Sequence, residues 1–255
     1  MILLNHMKKP LLVANWKMGV PLQSALHEVK ALMEHTTPQL RAHGVVCPSF
    51  VALQSVREAY SGVMIGAQDC AGVIDGAATG EVSAADLRAL GCSHVIIGHS
   101  ERRIHQGETD AHIAQKMLCA HQMGLRPILC IGETKTQRTA GETFVVIRRQ
   151  LEGGLKSLKK LPTVKCLVAY EPLWAIGAKK PASLTVIAEV HAEIVRWLRR
   201  WSGARSVSVG VLYGGAVDAS TIRSIVQVPN VDGVLVGRAS YSGEGCAKLL
   251  HAMIP

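Results

Sequence analysis

Eight short apolar runs, spaced along the whole chain, constrain the fold more than any other feature. They are rich in Val, Ile and Leu, and most are continuous rather than alternating with polar residues, which is typical of strands covered on both faces in a parallel sheet. The runs occupy residues 11–16, 44–48, 63–67, 94–99, 127–132, 166–170, 206–211 and 231–237. The chain therefore predicts a parallel sheet of eight strands.

Helical segments with recognisable ends lie between these runs. Ser83 can cap one segment that Gly91 closes, and Thr109 precedes another that ends at Gly124. After Ser183 a longer segment carries an apolar stripe at helical spacing, formed by Ile187, Val190, Ile194, Leu198 and Trp201. Strand and helix therefore alternate along the chain.

Eight strand–helix units within 255 residues favour a single domain with an α/β fold. Hydrophobic residues make up 48% of the chain, which is enough for a large core, and no linker or low-complexity stretch divides it. We predict a single (β/α)8 barrel catalytic domain over residues 1–255, with a parallel eight-stranded core. A doubly wound open sheet is the alternative.

The composition also limits the compartment and the cofactors. No stretch of about 18 apolar residues occurs, and the first 16 residues do not resemble a secretory signal, so we expect a cytoplasmic protein without a membrane partner. The seven cysteines are odd in number and form no CxxC pair, which argues against a disulfide framework and a zinc site. We expect no metal and no cofactor.

A formal net charge of +9 would suit an acidic partner. Much of the positive charge lies in helix-like stretches at 156–160 and 196–201, without the aromatic or helix-turn-helix patterns of nucleic-acid binding. We interpret these stretches as solvated helix faces and expect no nucleic-acid partner. A small anionic substrate would benefit from the same positive field.

Polar side chains follow several of the predicted strands, at the end where barrels of this kind place their active sites. ANWK (14–17) supplies Asn15 and Lys17, GHSERR (98–103) supplies His99 and Glu101, and the sixth run ends at Glu171. A surface lysine and a structural histidine are the ordinary alternatives for two of these residues. Glu171 is harder to explain structurally, because a carboxylate directly after an apolar strand is costly to bury.

Glycine-containing turns follow the last two predicted strands, as YGGA (213–216) and GR (237–238). Backbone N–H groups in such turns can approach an anion closely, which indicates a phosphate site. A carboxylate, an imidazole, an ammonium group and a phosphate cradle together suit proton abstraction beside a carbonyl in a phosphorylated substrate. They do not suit hydrolysis or redox chemistry.

Five segments, ANWKM, GHSERR, CIGE, AYEPLWAIG and YGG, resemble the triosephosphate isomerase family in order and spacing, over essentially the whole chain. The resemblance implies a TIM barrel that interconverts dihydroxyacetone phosphate and D-glyceraldehyde 3-phosphate through an enediolate, a step of glycolysis and gluconeogenesis. In that family the glutamate is the base and acts beside a neutral histidine. The implied catalytic residues are Glu171 as base, His99 as proton donor and relay, Lys17 as stabiliser of the enediolate, Asn15 as a positioning residue and Glu101 as the partner of Lys17.

The same resemblance implies a lid, a phosphate site and a partner. Residues 176–180 would close over the substrate phosphate, and the phosphate would be bound by Gly177, Ala216, Gly237 and Arg238. The segment 68–81 resembles a loop that docks on a second subunit, so the resemblance implies a homodimer with Thr79 near the partner's site.

Three departures from the family pattern cluster at the phosphate end. AIGAKKPA stands where AIGTGKTA is usual, Ala216 replaces a serine, and Arg238 replaces a glycine. Arg238 could point away from the pocket or change how the far end of the substrate is held. One alternative is therefore an isomerase of a four-carbon ketose phosphate, erythrulose phosphate, and another is a phosphate-binding barrel without catalysis. The intact set of Asn15, Lys17, His99 and Glu171 argues against the second.

Overall fold

The computed structural model describes residues 10–254 and contains a closed barrel of eight parallel strands in chain order. The strands are β1 (Leu11–Asn15), β2 (Gly44–Cys47), β3 (Met64–Ala67), β4 (His94–Ile97), β5 (Arg126–Ile131), β6 (Thr163–Tyr170), β7 (Ser206–Tyr213) and β8 (Gly233–Val236). Each strand overlaps one of the eight apolar runs; β5 and β6 begin before their runs, and β7 ends after its run. The eight-stranded barrel is therefore confirmed.

The barrel closes because β1 pairs with β8, with Val13 opposite Leu235. This pairing excludes the open doubly wound sheet. The single-domain prediction also concerns residues 1–9 and residue 255, and the argument against a targeting segment concerns residues 1–9; all of these lie outside the described residues.

Helices surround the barrel between its strands. They are α1 (Leu22–Glu34), α2 (Pro38–Arg41), α3 (Phe50–Ala59), α4 (Ala84–Ala89), α5 (Ser100–His105), α6 (Asp110–Gln122), α7 (Lys135–Thr139), α8 (Thr143–Gly154), α9 (Leu184–Ser202), α10 (Ile222–Val226) and α11 (Gly243–Met253). Short 3-10 turns cover Lys156–Leu158, Leu173–Ala175 and Arg238–Ser240. No helix within residues 10–254 is long and apolar enough to cross a lipid bilayer.

The helix cap predicted at Ser83 is confirmed, and Thr109 and Ser183 cap the two segments that they precede. The Ser83 hydroxyl accepts the N–H of Asp86 at the start of α4, and the Thr109 hydroxyl accepts the N–H of His112 at the start of α6. Ser183 Oγ lies 3.3 Å from the backbone nitrogen of Val186 at the start of α9. Each of these side chains satisfies one of the backbone donors that a helix leaves free in its first turn.

The core has two layers. One fills the barrel interior, and its members include Val13, Val45, Ile96, Ile128, Leu167 and Leu212. The other lies between the strands and the helices, where the α9 stripe packs with Ile187, Val190, Ile194 and Leu198 buried and Trp201 half-buried. This packing holds the strands rigidly, so side chains at their carboxyl ends have fixed positions.

Candidate active site

The nine residues predicted as functional line one cavity of about 490 Å³ at the carboxyl ends of the strands. They are Asn15, Lys17, His99, Glu101, Glu171, Gly177, Ala216, Gly237 and Arg238. They come from five different strand ends, spread over more than 220 positions of the chain. Closure of the barrel therefore brings the predicted set together, while the role of each residue stays a prediction.

Glu171 follows β6 directly and is 2% exposed. Its N–H donates to the carbonyl of Ile131 at 2.7 Å, which continues the β5–β6 pairing and fixes the backbone. One carboxylate oxygen lies 3.1 Å from His99 Nε2, and the other accepts the N–H of Ser100 at 3.1 Å. Burial alone would raise the pKa of Glu171, but these contacts outweigh it and lower the pKa, so the group is a carboxylate.

Gly214 directly follows β7, and its lack of a side chain lets the backbone there approach the Glu171 side chain. A Cβ atom at residue 214 would lie 2.8 Å from Glu171 Cγ and 3.3 Å from the carbonyl oxygen of Tyr170. Contacts that short require the neighbours to shift. The Glu171 side chain therefore explains why a glycine occupies this position.

His99 is the N-cap of α5, and its ring is held on both sides. Nδ1 accepts the N–H of Glu101 at 3.2 Å, which requires a lone pair there and favours the neutral tautomer with its proton on Nε2. That proton points toward Glu171. Burial disfavours an imidazolium, but the Glu171 carboxylate outweighs burial and raises the pKa of His99 while the two groups are in contact.

Lys17 sits in a tight turn after β1. Its φ of 49° is in the left-handed region, and its N–H donates to Asn15 Oδ1 at 3.1 Å. The ammonium lies 2.5 Å from Glu101 Oε1, the partner that the family resemblance implied. Gln68 Nε2 donates to the carbonyl of Lys17 at 2.9 Å and to that of Cys47 at 3.0 Å. Gln68 therefore supports this turn, and sequence reasoning gave it no such role.

The predicted lid and the turns after β7 and β8 supply unpaired backbone donors to the cavity, and we call this part of it the anion end. The N–H groups of Gly177, Gly215, Gly237 and Arg238 donate to no other group within residues 10–254. Four such groups around one cavity favour an anion. The N–H of Ala216, by contrast, donates to the carbonyl of Ala175 at 3.1 Å. In this conformation the free donor of the YGGA turn therefore belongs to Gly215, which the prediction had not named.

Arg238 reaches across the mouth of the cavity instead of pointing away. Its Nη2 donates to the carbonyl oxygen of Gly177 at 3.0 Å, which joins the turn after β8 to the predicted lid. Both residues line the cavity.

Glu133 is a second residue whose role the sequence left unassigned. It is fully buried, and its Oε1 accepts the hydroxyl of Tyr170 at 3.1 Å and the indole N–H of Trp174 at 2.9 Å. Arg138 lies 3.5 Å from the same oxygen and stacks over the Trp174 ring. These contacts fix the chain just before the lid. The CIGE segment was the available signal, since a carboxylate follows a buried strand there.

Comparisons with known proteins agree with the barrel fold and with the family resemblance seen in the sequence. The family model described as triosephosphate isomerase matches residues 10–253. The chain is 41% identical to the triosephosphate isomerase of Moorella thermoacetica over 247 residues, which cover 96% of this chain and 99% of that one. Identity to the Coxiella burnetii triosephosphate isomerase is also 41%, with 95% and 96% covered. A crystal structure of triosephosphate isomerase from Bartonella henselae is 31% identical, with a TM-score of 0.84, and 96% and 98% of the two chains are covered.

Proposed function

The chain belongs to the triosephosphate isomerase family of aldose–ketose isomerases, and we propose that it interconverts dihydroxyacetone phosphate and D-glyceraldehyde 3-phosphate. This reaction is a step of glycolysis and gluconeogenesis. One observation carries the proposal. The cavity holds a buried carboxylate 3.1 Å from an imidazole nitrogen, together with four unpaired backbone N–H groups. A substrate that carries both a carbonyl and a phosphate could use both sets of groups.

In the proposed mechanism, Glu171 removes a proton from the carbon beside the carbonyl, and the electron pair of that C–H bond forms the enediolate. His99 donates its Nε2 proton to the carbonyl oxygen and takes one from the neighbouring oxygen. Glu171 then returns its proton to the adjacent carbon, which completes the isomerisation without any external reactant. Lys17 lies in the same cavity and stabilises negative charge on the oxygens.

Substrate binding would also change the strength of the base. The present contacts of Glu171 with His99 and Ser100 lower its pKa, and burial opposes them. A carboxylate that leaves these partners for the substrate loses their stabilisation while the site still excludes water. We infer that its basicity rises at the moment when it faces the substrate carbon.

The segment 176–180 lies between two residues that are fixed by hydrogen bonds. At its start, Trp174 donates to Glu133, and at its end the N–H of Ala182 donates to the Tyr213 hydroxyl at 2.9 Å. We propose that residues 176–180 between these two fixed points cover the bound phosphate, exclude water and protect the enediolate from losing phosphate.

Replacement of Glu171 by Gln tests the mechanism. We expect kcat/KM for glyceraldehyde 3-phosphate to fall by roughly 10³-fold, because the amide has a similar shape but cannot accept the proton. Glu152→Gln, at an exposed carboxylate of α8, is the matched control and should retain full activity. An active Glu171→Gln variant would contradict the assignment of the base. If the wild-type protein turned over no sugar phosphate, the remaining hypothesis would be a phosphate-binding barrel without catalysis.

A four-carbon substrate is the second candidate, and the position of Arg238 favours testing it. Its guanidinium bonds to the carbonyl of Gly177 beside the cavity, at a position where the family pattern has glycine. We would compare kcat/KM of the wild-type protein for glyceraldehyde 3-phosphate and for erythrulose phosphate. A clear preference for the tetrulose would make erythrulose phosphate the proposed substrate instead of the triose phosphate. A preference for the triose would reject this candidate.

We also propose a homodimer formed through the loop at 68–81. Val73 is 48% exposed and Ile74 is 36% exposed, so the loop presents apolar side chains to solvent. A groove of about 500 Å³ lies beside Lys17 and is lined by Met18, which is 97% exposed, and by Phe50. The apolar loop of a second copy would fill this groove and shield the catalytic lysine.

The cytoplasm is the compartment we propose. All seven cysteines are described, and each is a free, buried thiol. Seven free thiols and no disulfide among them are typical of a protein in a reducing environment.

A further inference from the structure

Within the described residues, Arg238 is the one member of the predicted phosphate site whose side chain forms a hydrogen bond with the predicted lid. Its Nη2 lies 3.0 Å from the carbonyl oxygen of Gly177, across 61 positions of the chain. Its own backbone N–H is one of the four unpaired donors at the anion end. Arg238 therefore connects the turn after β8 to the predicted lid through its side chain.

The rest of the lid has little else to hold it. Within residues 177–181, the Arg238 bond is the single hydrogen bond that the structure describes, and Ala178, Lys179 and Lys180 are exposed. The side chains of Ala178 and Ala216, which face the same cavity, have no hydroxyl to offer. A link between the lid and the anion site must therefore come from another group.

The guanidinium has the chemistry for this link. It carries five N–H donors in a planar fork and stays charged, and the structure uses only one of its donors. The remaining donors can bind a phosphate oxygen while Nη2 keeps its bond to the lid carbonyl. Arginine forms shorter and stronger bonds to anions than to neutral acceptors, so a bound phosphate would fix the guanidinium and the lid together.

We propose that Arg238 is a positioning residue that joins the bound phosphate to the lid through the carbonyl of Gly177. Phosphate binding then orders residues 177–180 through this side chain. The inference rests on the proposed function for the identity of the phosphate end, but its test does not need turnover.

Limited proteolysis measures the link directly. Trypsin can cut after the exposed Lys179, whereas Pro181 blocks the cut after Lys180, so mass spectrometry of the fragment ending at Lys179 reports access to the lid. We expect inorganic phosphate to slow this cut in the wild-type protein. In Arg238→Ala the phosphate concentration needed for half-maximal protection should rise roughly tenfold. Arg223→Ala removes an exposed arginine on α10 and controls for net charge; it should behave as wild type.

Two results would overturn the proposal. Equal protection of Arg238→Ala and wild type would show that Arg238 does not couple the two sites. No protection of the wild type at saturating phosphate would show that anion binding does not order the lid. Either result could occur in a protein that still isomerises the triose phosphate, and the proposal could hold in a protein that does not, so the two failures are distinguishable.

Kinetics supply a readout that a purely structural role would not move. We expect Arg238→Ala to raise KM and to increase the fraction of turnovers that lose phosphate, because the lid closes less often over the intermediate. Arg238→Lys keeps the charge without the fork and should recover KM in part while phosphate loss stays high. An unchanged KM together with unchanged phosphate loss in Arg238→Ala would contradict the role.

Discussion

At the scale of single residues, burial and partners together set the charge of each titratable group. Glu171 is buried but keeps its charge because His99 and Ser100 bind it. His191 on α9 is fully buried, with Nδ1 3.0 Å from the carbonyl oxygen of Asn230 and its ring edge-on to Tyr170. No acidic group compensates it among its described partners, and burial lowers the pKa of His191 from 6.5 to about 4.

This histidine predicts a loss of stability in mild acid. Between about pH 6.5 and pH 4 the unfolded chain binds a proton at residue 191 that the folded chain does not, so the free energy of unfolding rises with pH in that window and falls as the pH drops. His191→Asn keeps an N–H donor but cannot titrate. We expect urea unfolding to show a pH slope that is lower than in wild type by up to about 1.4 kcal/mol per pH unit.

His27→Asn, at an exposed position of α1, is the matched control for the same substitution. The prediction fails if His191→Asn and wild type show the same slope between pH 4 and pH 6.5. The slope is the diagnostic quantity, because His191→Asn also loses ring packing and should be less stable at every pH.

At the scale of secondary structure elements, the seam between β1 and β8 decides whether the strands form a barrel. Gly233 begins β8 opposite Leu11, with a φ of +153°. A Cβ atom at residue 233 would lie 2.0 Å from the carbonyl oxygen of Leu11 and 2.7 Å from its nitrogen. Both neighbours are backbone atoms of a buried strand, so they cannot move aside cheaply.

Gly233→Ala should therefore destabilise the closed barrel strongly. We expect the free energy of unfolding to fall by about 4 kcal/mol or more, measured by chemical denaturation, or the protein to be insoluble. Gly62→Ala is the control, because its Cβ would meet only Met33 Cε at 3.7 Å, an ordinary contact. A Gly233→Ala protein as stable as the Gly62→Ala protein would contradict this account of the seam.

At the scale of the whole molecule, the exposed apolar groups and the groove beside Lys17 predict self-association. We expect sedimentation to show a dimer, and Ile74→Asp to shift it toward monomer, because a charge placed in the interface costs roughly 2 kcal/mol or more to desolvate. Val145→Asp changes a residue of α8 that is 66% exposed and lies outside the 68–81 loop, so it should leave the dimer intact. A monomeric wild-type protein at micromolar concentration would reject the proposal.

The sequence alone determined the eight strands, the cap of α4 at Ser83 and the types of residue at the strand ends. These features depend on local physics, because burial on two faces imposes continuous apolar runs and a free helix terminus favours Ser or Thr. The segments ANWK, GHSERR and AYEP predicted Lys17, His99 and Glu171 at strand ends, and all three line the cavity there.

Only the tertiary structure decided which donors are free and which side chains meet. Gln68 supports Lys17 across 51 positions, Glu133 binds Trp174 across 41, and Arg238 turns toward Gly177 across 61. The tertiary structure also decides that the free donor is the N–H of Gly215, because the carbonyl of Ala175 accepts the N–H of Ala216. Such contacts depend on how loops from different strands pack after the barrel has closed, and no local pattern in the chain encodes the distance between them.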